Sequence, residues 1–177
     1  MGKQKLILLL INVLGGVAVI GSYFLGLGGG SSAEVLWGGV PESIQPVYMV
    51  SMAISALGYF AFLYFLLVRT VPGEVVISGR FGYGLFYPIF LLILVPSTFW
   101  MPLTNLYVGD PQTGTWIAVR AVLTIVGLAS IALAWALLTL RPNNRGAIYW
   151  SAVVGSCYFA FHTAILDAII WAALFRT

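Results

Sequence analysis

The stretch HTAILDAIIW, His162 to Trp171, sets the only histidine of the chain and one of its five acids inside an apolar C-terminal run. A charge in the middle of a membrane helix costs about 2.5–3.5 kcal/mol on insertion scales, so Asp167 is expected to be paired, protonated or turned toward water. Arg120 is the partner the sequence offers. Counted inward from the ends of their apolar segments at 1.5 Å per residue, Arg120 lies roughly 6 Å deep and Asp167 roughly 10 Å deep, a difference an arginine side chain can close. Snorkelling of Arg120 and a neutral Asp167 are the alternatives. Ser156, Ala160, Ala164, Ala168 and Ala172 place a small residue at every fourth position, a ridge suited to close helix packing. At about 100° per residue, Asp167 projects within the arc of that ridge, toward protein.

On the same reckoning His162 projects roughly 160° from the ridge, one turn after Tyr158. Tyr158 and His162 are therefore the candidate contacts to a pigment or a partner subunit. A satisfied neutral histidine is the plainer reading, and an axial ligand to chlorophyll or haem the sharper one. Cys157 and His162 are about 140° apart on a helix and make no convincing nucleophile and base.

A second concentration of polar groups falls in YGLFYPIFLLILVPSTFWMPLTN, where Pro88, Pro96 and Pro102 share one apolar segment. An internal proline lacks an N–H and frees the carbonyl four residues earlier, here Leu92 and Thr98, so this helix is expected to kink or break. Ser97, Thr98, Thr104 and Asn105 lie beside the break, with Trp100 between them. Thr98, Trp100, Asn105, Arg120 and Asp167 together form the expected ligand-binding set. Other chemistry is poorly supplied. One cysteine allows no internal disulfide, lysine occurs only as Lys3 and Lys5, and no metal cluster, phosphate loop or nucleophile motif is present.

The elements that carry these residues follow from composition. The 177 residues are 61% hydrophobic and 7% charged, against roughly 25% charged in a soluble domain. The apolar runs are continuous, which predicts helices and not the alternation of a membrane barrel. Five spans are expected, at 5–27, 46–68, 83–105, 116–140 and 147–174, in one domain covering 1–177. The first span resembles a signal peptide but has too long an apolar stretch, and reads as retained. GGGSSAEVLWGGVPESIQ joins spans one and two, with Val35, Leu36 and Trp37 as an interfacial dip. NNRG, residues 143–146, turns span four back on span five.

With alternating spans, Lys3, Lys5, Arg69, Arg80, Arg141 and Arg145 share one side, against Arg120 and Arg176 on the other. The positive-inside rule then puts the N-terminus in the cytoplasm and the C-terminus outside. The net charge of +3 forms no basic stripe, so nucleic acid is not an expected partner. Trp37, Trp100, Trp116 and Trp171 fall toward the outer side, and Trp135 and Trp150 toward the inner side, as interfacial belts would. Ala18, Ser22 and Gly26 form a further small-residue stripe for a helix of the bundle or of a partner.

The expectation is an all-α five-helix integral protein of a cell or inner membrane, embedded in lipid. Its leading function is non-enzymatic: binding, or also transporting, a small amphipathic or lipid-like ligand in an outward-facing pocket. The alternative is a structural or accessory subunit of a larger membrane complex, pigment-associated or homo-oligomeric. The sequence names no cofactor.

Overall fold

The computed structural model describes residues 2–28, 35–142 and 146–175. The Gly-rich stretch through Glu34, the predicted turn at Asn143–Arg145, and Arg176 lie outside the described residues.

Helix α1, Lys3–Gly28, is 26 residues long and, after its first turn, apolar except chiefly at Asn12 and Ser22. At 1.5 Å per residue that is about 39 Å, enough to cross a hydrocarbon layer of about 30 Å. After a 3-10 turn at Val35–Trp37, α2 runs over Gln45–Tyr64 with Pro46 in its first turn, where a missing N–H breaks no helical bond. It continues as a π-helical turn, Phe65–Arg69. Strand β1, Val76–Ile77, and a 3-10 turn at Tyr83–Leu85 lead into α3, Phe86–Gly109. Helix α4 is Thr113–Leu138, and β2, Leu140–Arg141, pairs antiparallel with β1, Val76 facing Arg141. Helix α5, Ala147–Phe161, passes into a ten-residue π-helical segment, His162–Trp171, and ends in α6, Ala172–Leu174. Among the described residues these elements make five helices long and apolar enough to cross a membrane, close to the spans read from sequence.

The helices alternate in direction. At the end where α1 begins, the near end, the Tyr87 hydroxyl donates to the Gln4 carbonyl at 3.1 Å, and β1 and β2 tie together the connections after α2 and α4. At the opposite, far end, Trp171 Nε1 donates to Leu36 O at 3.1 Å. Helix α3 packs on α1 and α4, and α5 on α2 and α4.

Small residues set the closest approaches. A Cβ added to Gly155 would lie 2.8 Å from the Gly58 Cα, so α2 and α5 cross backbone to backbone. Gly127 of α4 meets Ala164, a member of the predicted ridge, and Gly26 of α1 meets Met101.

Helix α3 does not break: it runs continuously through Pro96 and Pro102. Pro88 stands in the first turn, where no intrahelical N–H bond exists to lose. The other two prolines each remove a single bond, and the turn after Pro96 is reinforced by Ser97 Oγ donating to Ile93 O at 2.6 Å and Thr98 Oγ1 to Leu94 O at 3.0 Å.

Candidate functional site

The π-helical segment decides how Asp167 is surrounded. With bonds closing at i+5, residues five apart stack on one face, whereas an α-helix would set them about 140° apart. His162 and Asp167 are five apart, and the segment brings His162 Nε2 to 3.7 Å from Asp167 Oδ2. Leu166 and Trp171, again five apart, are both buried.

His162 is 6% exposed and held from its other side. Tyr158 donates to Ser51 Oγ at 3.1 Å, and Ser51 Oγ lies 2.9 Å from His162 Nδ1. Ser51 Oγ bridges Tyr158 and Nδ1 of the ring, while Nε2 faces Asp167. Tyr158 and His162, the predicted pigment or partner contacts, thus meet each other through Ser51 of α2.

The Arg120–Asp167 ion pair does not form. Helix α4 turns Val119, Leu123 and Val126 into the core. Arg120 lies one residue round, on the exposed stripe with Ile117, Thr124 and Leu128. The two residues share a depth but not an azimuth. Among the described residues His162 is the only basic side chain within ion-pair distance of Asp167.

The side chain of Asp167 is 32% exposed. From α2, Tyr48 donates to the carbonyl of Leu166, its neighbour in sequence, at 2.9 Å. Around this point the far-end aromatics stack on one another. Tyr23 lies 5.6 Å from Trp100, Trp100 5.6 Å from Trp171, and Trp171 4.4 Å from Phe175, centroid to centroid. Trp116 lies parallel to Phe175 at 5.7 Å. Of the tryptophans expected toward the outer side, Trp171 is 5% exposed, and Trp37, Trp100 and Trp116 are partly buried against its cluster. Trp135 and Trp150, at the near end, are exposed as belt residues are.

Helix α3 supplies the remaining polar atoms. Trp100 Nε1, Thr104 Oγ1 and Asn105 Oδ1 are buried and have no hydrogen-bond partner among the described residues. Asn105 is held in place by its Nδ2, which donates to Gly26 O at 3.1 Å. Of the five residues predicted to bind a ligand, Trp100, Asn105 and Asp167 belong to this far-half region. Thr98 spends its hydroxyl on its own helix, and Arg120 faces outward. Sequence reasoning missed Tyr23, Tyr48, Ser51, Thr104 and Trp171. Depth counting would have found the two tyrosines, which stand near the far-end termini of α1 and α2.

A cleft of about 530 Å³ at the near end is lined by Phe65, Arg69, Thr70, Glu74, Leu140 and Tyr149, among others. Thr70 Oγ1 is committed there to Phe65 O at 3.0 Å, so its hydroxyl serves the helix end. Compared with protein-family models, with curated proteins and with solved structures, the chain matches none.

Proposed function

We propose that this chain is a non-enzymatic multi-pass membrane protein that binds a small amphipathic or lipid-like ligand in an intramembrane pocket of its far half. Lys3, Lys5, Arg69, Arg80 and Arg141 sit at the near end. That bias supports a cytoplasmic near end and an outward-facing pocket. The reading rests on the three unpartnered atoms of α3, Trp100 Nε1, Thr104 Oγ1 and Asn105 Oδ1. Leaving one such group buried without a partner costs about 1–3 kcal/mol, and folded interiors satisfy nearly all of them. Three within two turns of one helix, beside an aromatic cluster and a partly exposed carboxyl group, suit a ligand that brings its own polar atoms.

Native mass spectrometry of protein extracted gently from its own membrane tests this. One chain carrying a stoichiometric small molecule is the expected result. Thr104→Val should lower that occupancy while leaving the ligand-free chain as stable as before or more so. Full occupancy in the valine variant, or a chain that carries other polypeptides and no small molecule, rejects the pocket and favours a subunit of a larger complex.

A further inference from the structure

The pocket reading leaves the charge of the ligand open. We infer that the ligand is an amphipathic cation, an ammonium or comparable lipophilic cation, held between the Asp167 carboxylate and the ring faces of Tyr23, Trp100 and Trp171. The inference rests on the ligand-binding reading and names its chemical class.

Three observations converge. The first is an uncompensated acid. Asp167 stands well inside a span, where a carboxylate calls for a partner. Arg120 is turned to the outside of the bundle, and His162, 3.7 Å away, is a buried titratable ring whose Nδ1 is bonded to Ser51 rather than a fixed cation. Among the described residues no permanent cation answers the carboxylate, yet its side chain is reachable from outside.

The second observation is the surroundings. Tyr23, Trp100 and Trp171 succeed one another at 5.6 Å spacings, and Trp171 stands four residues after Asp167 on the same chain segment. Aromatic faces carry negative potential and attract cations, tryptophan most strongly and ammonium groups in particular. An anionic ligand would be repelled by carboxylate and rings alike. A neutral ligand would gain no attraction from the acid.

The third is the set of atoms available beside them. Asn105 Oδ1 and Thr104 Oγ1 can accept from an ammonium N–H. Trp100 Nε1 can only donate, and suits an oxygen elsewhere on the ligand.

The test compares three probes of similar bulk on the purified full chain in a nonionic maltoside detergent, where no choline headgroup competes. They are tetraphenylphosphonium, neutral triphenylphosphine oxide and anionic tetraphenylborate. Equilibrium dialysis should show one saturable phosphonium site per chain, with tryptophan fluorescence quenched in parallel. The neutral probe should bind at least about tenfold more weakly and the anion not saturably. Asp167→Asn should weaken phosphonium binding by about tenfold or more, the scale of a lost charge-assisted contact, and leave the neutral probe unchanged. Asp167→Glu should retain most of the affinity. Equal binding of cation and neutral probe, or phosphonium affinity unchanged in Asp167→Asn, overturns the cationic class. If the neutral probe then still saturates and is lost in Trp100→Ala, the pocket itself stands. Saturable binding of none of the three removes pocket and class together. The comparison of probes on the unsubstituted chain decides the matter even where a variant does not fold.

Discussion

In the near half of the bundle the Tyr83 and Tyr149 hydroxyls donate to Leu66 O and Leu137 O, and Tyr59 donates to Asn12 Oδ1, itself anchored to Leu8 O. In the far half Trp100 Nε1, Thr104 Oγ1 and Asn105 Oδ1 meet no partner among the described residues. Both halves are rich in aromatic rings. Tyr59, Phe62, Phe90 and Phe159 interlock near the middle of α2, α3 and α5 at centroid distances of 5.0 to 6.1 Å, much as the tryptophans do at the far end. What separates the halves is whether the polar groups among the rings are spent. Spent groups fix helices to one another, and unspent ones leave an affinity for something else. The near half is therefore read as the element that holds the bundle, and the far half as the element that uses it.

Three substitutions probe the holding half in descending order of effect. Phe62 is 0% exposed and touches Tyr59, Phe90 and Phe159, so Phe62→Ala should lower stability by about 3–5 kcal/mol. Denaturation in mixed micelles, followed by tryptophan fluorescence, measures the change. A loss under 1 kcal/mol would mean that the near half is not the rigid one.

Gly155→Ala pushes a methyl to 2.8 Å from Gly58 Cα, a backbone atom that cannot step aside alone. Separating α2 from α5 should cost about 1–3 kcal/mol in the same assay. Gly16→Ala, which meets nothing within 4 Å, serves as its silent control.

Ser51 marks the border between the halves. Ser51→Ala takes the partner from Tyr158 and from His162 Nδ1 together, with an expected loss of about 1–2 kcal/mol. With the Nδ1 partner gone, the ring nitrogen shifts of His162 should move, readable by nitrogen NMR. Unchanged shifts would show that Ser51 does not hold the ring beside Asp167.

How much of this was legible in the sequence depends on which coordinate is asked for. Depth was legible. The five spans follow from continuous apolar runs, and counting residues inward puts Arg120 and Asp167 toward the same end of the bundle, where α4, Thr113–Leu138, begins and the last helical run, ending at Leu174, stops. Azimuth was not. A straight count cannot tell that Val119 rather than Arg120 faces α5, since both belong to the same turn. The 100° rule also fails over His162–Trp171, where a π-helical register replaces the α-helical one. No residue in HTAILDAIIW announces that register; it accompanies the packing of this segment on α4. Trp171 makes the same point: its depth fits an interfacial belt, and only its azimuth shows that it turns inward.

Arg120→Gln carries the smallest expected effect and bears most directly on the contrast. An arginine on the exposed stripe of α4 supports neither the core nor the carboxylate, so the variant should keep its unfolding midpoint and its phosphonium affinity. Asp167→Asn, by contrast, should lose affinity. If Arg120 instead swung inward to neutralise Asp167, each single substitution would destabilise the chain, and the double variant would be no worse than either, the coupling expected of a true pair. Arg120→Gln would also tighten cation binding by freeing the carboxylate. Additive effects on stability, with affinity answering to Asp167 alone, would mean that the acid of the far half is left unpaired by the fold itself.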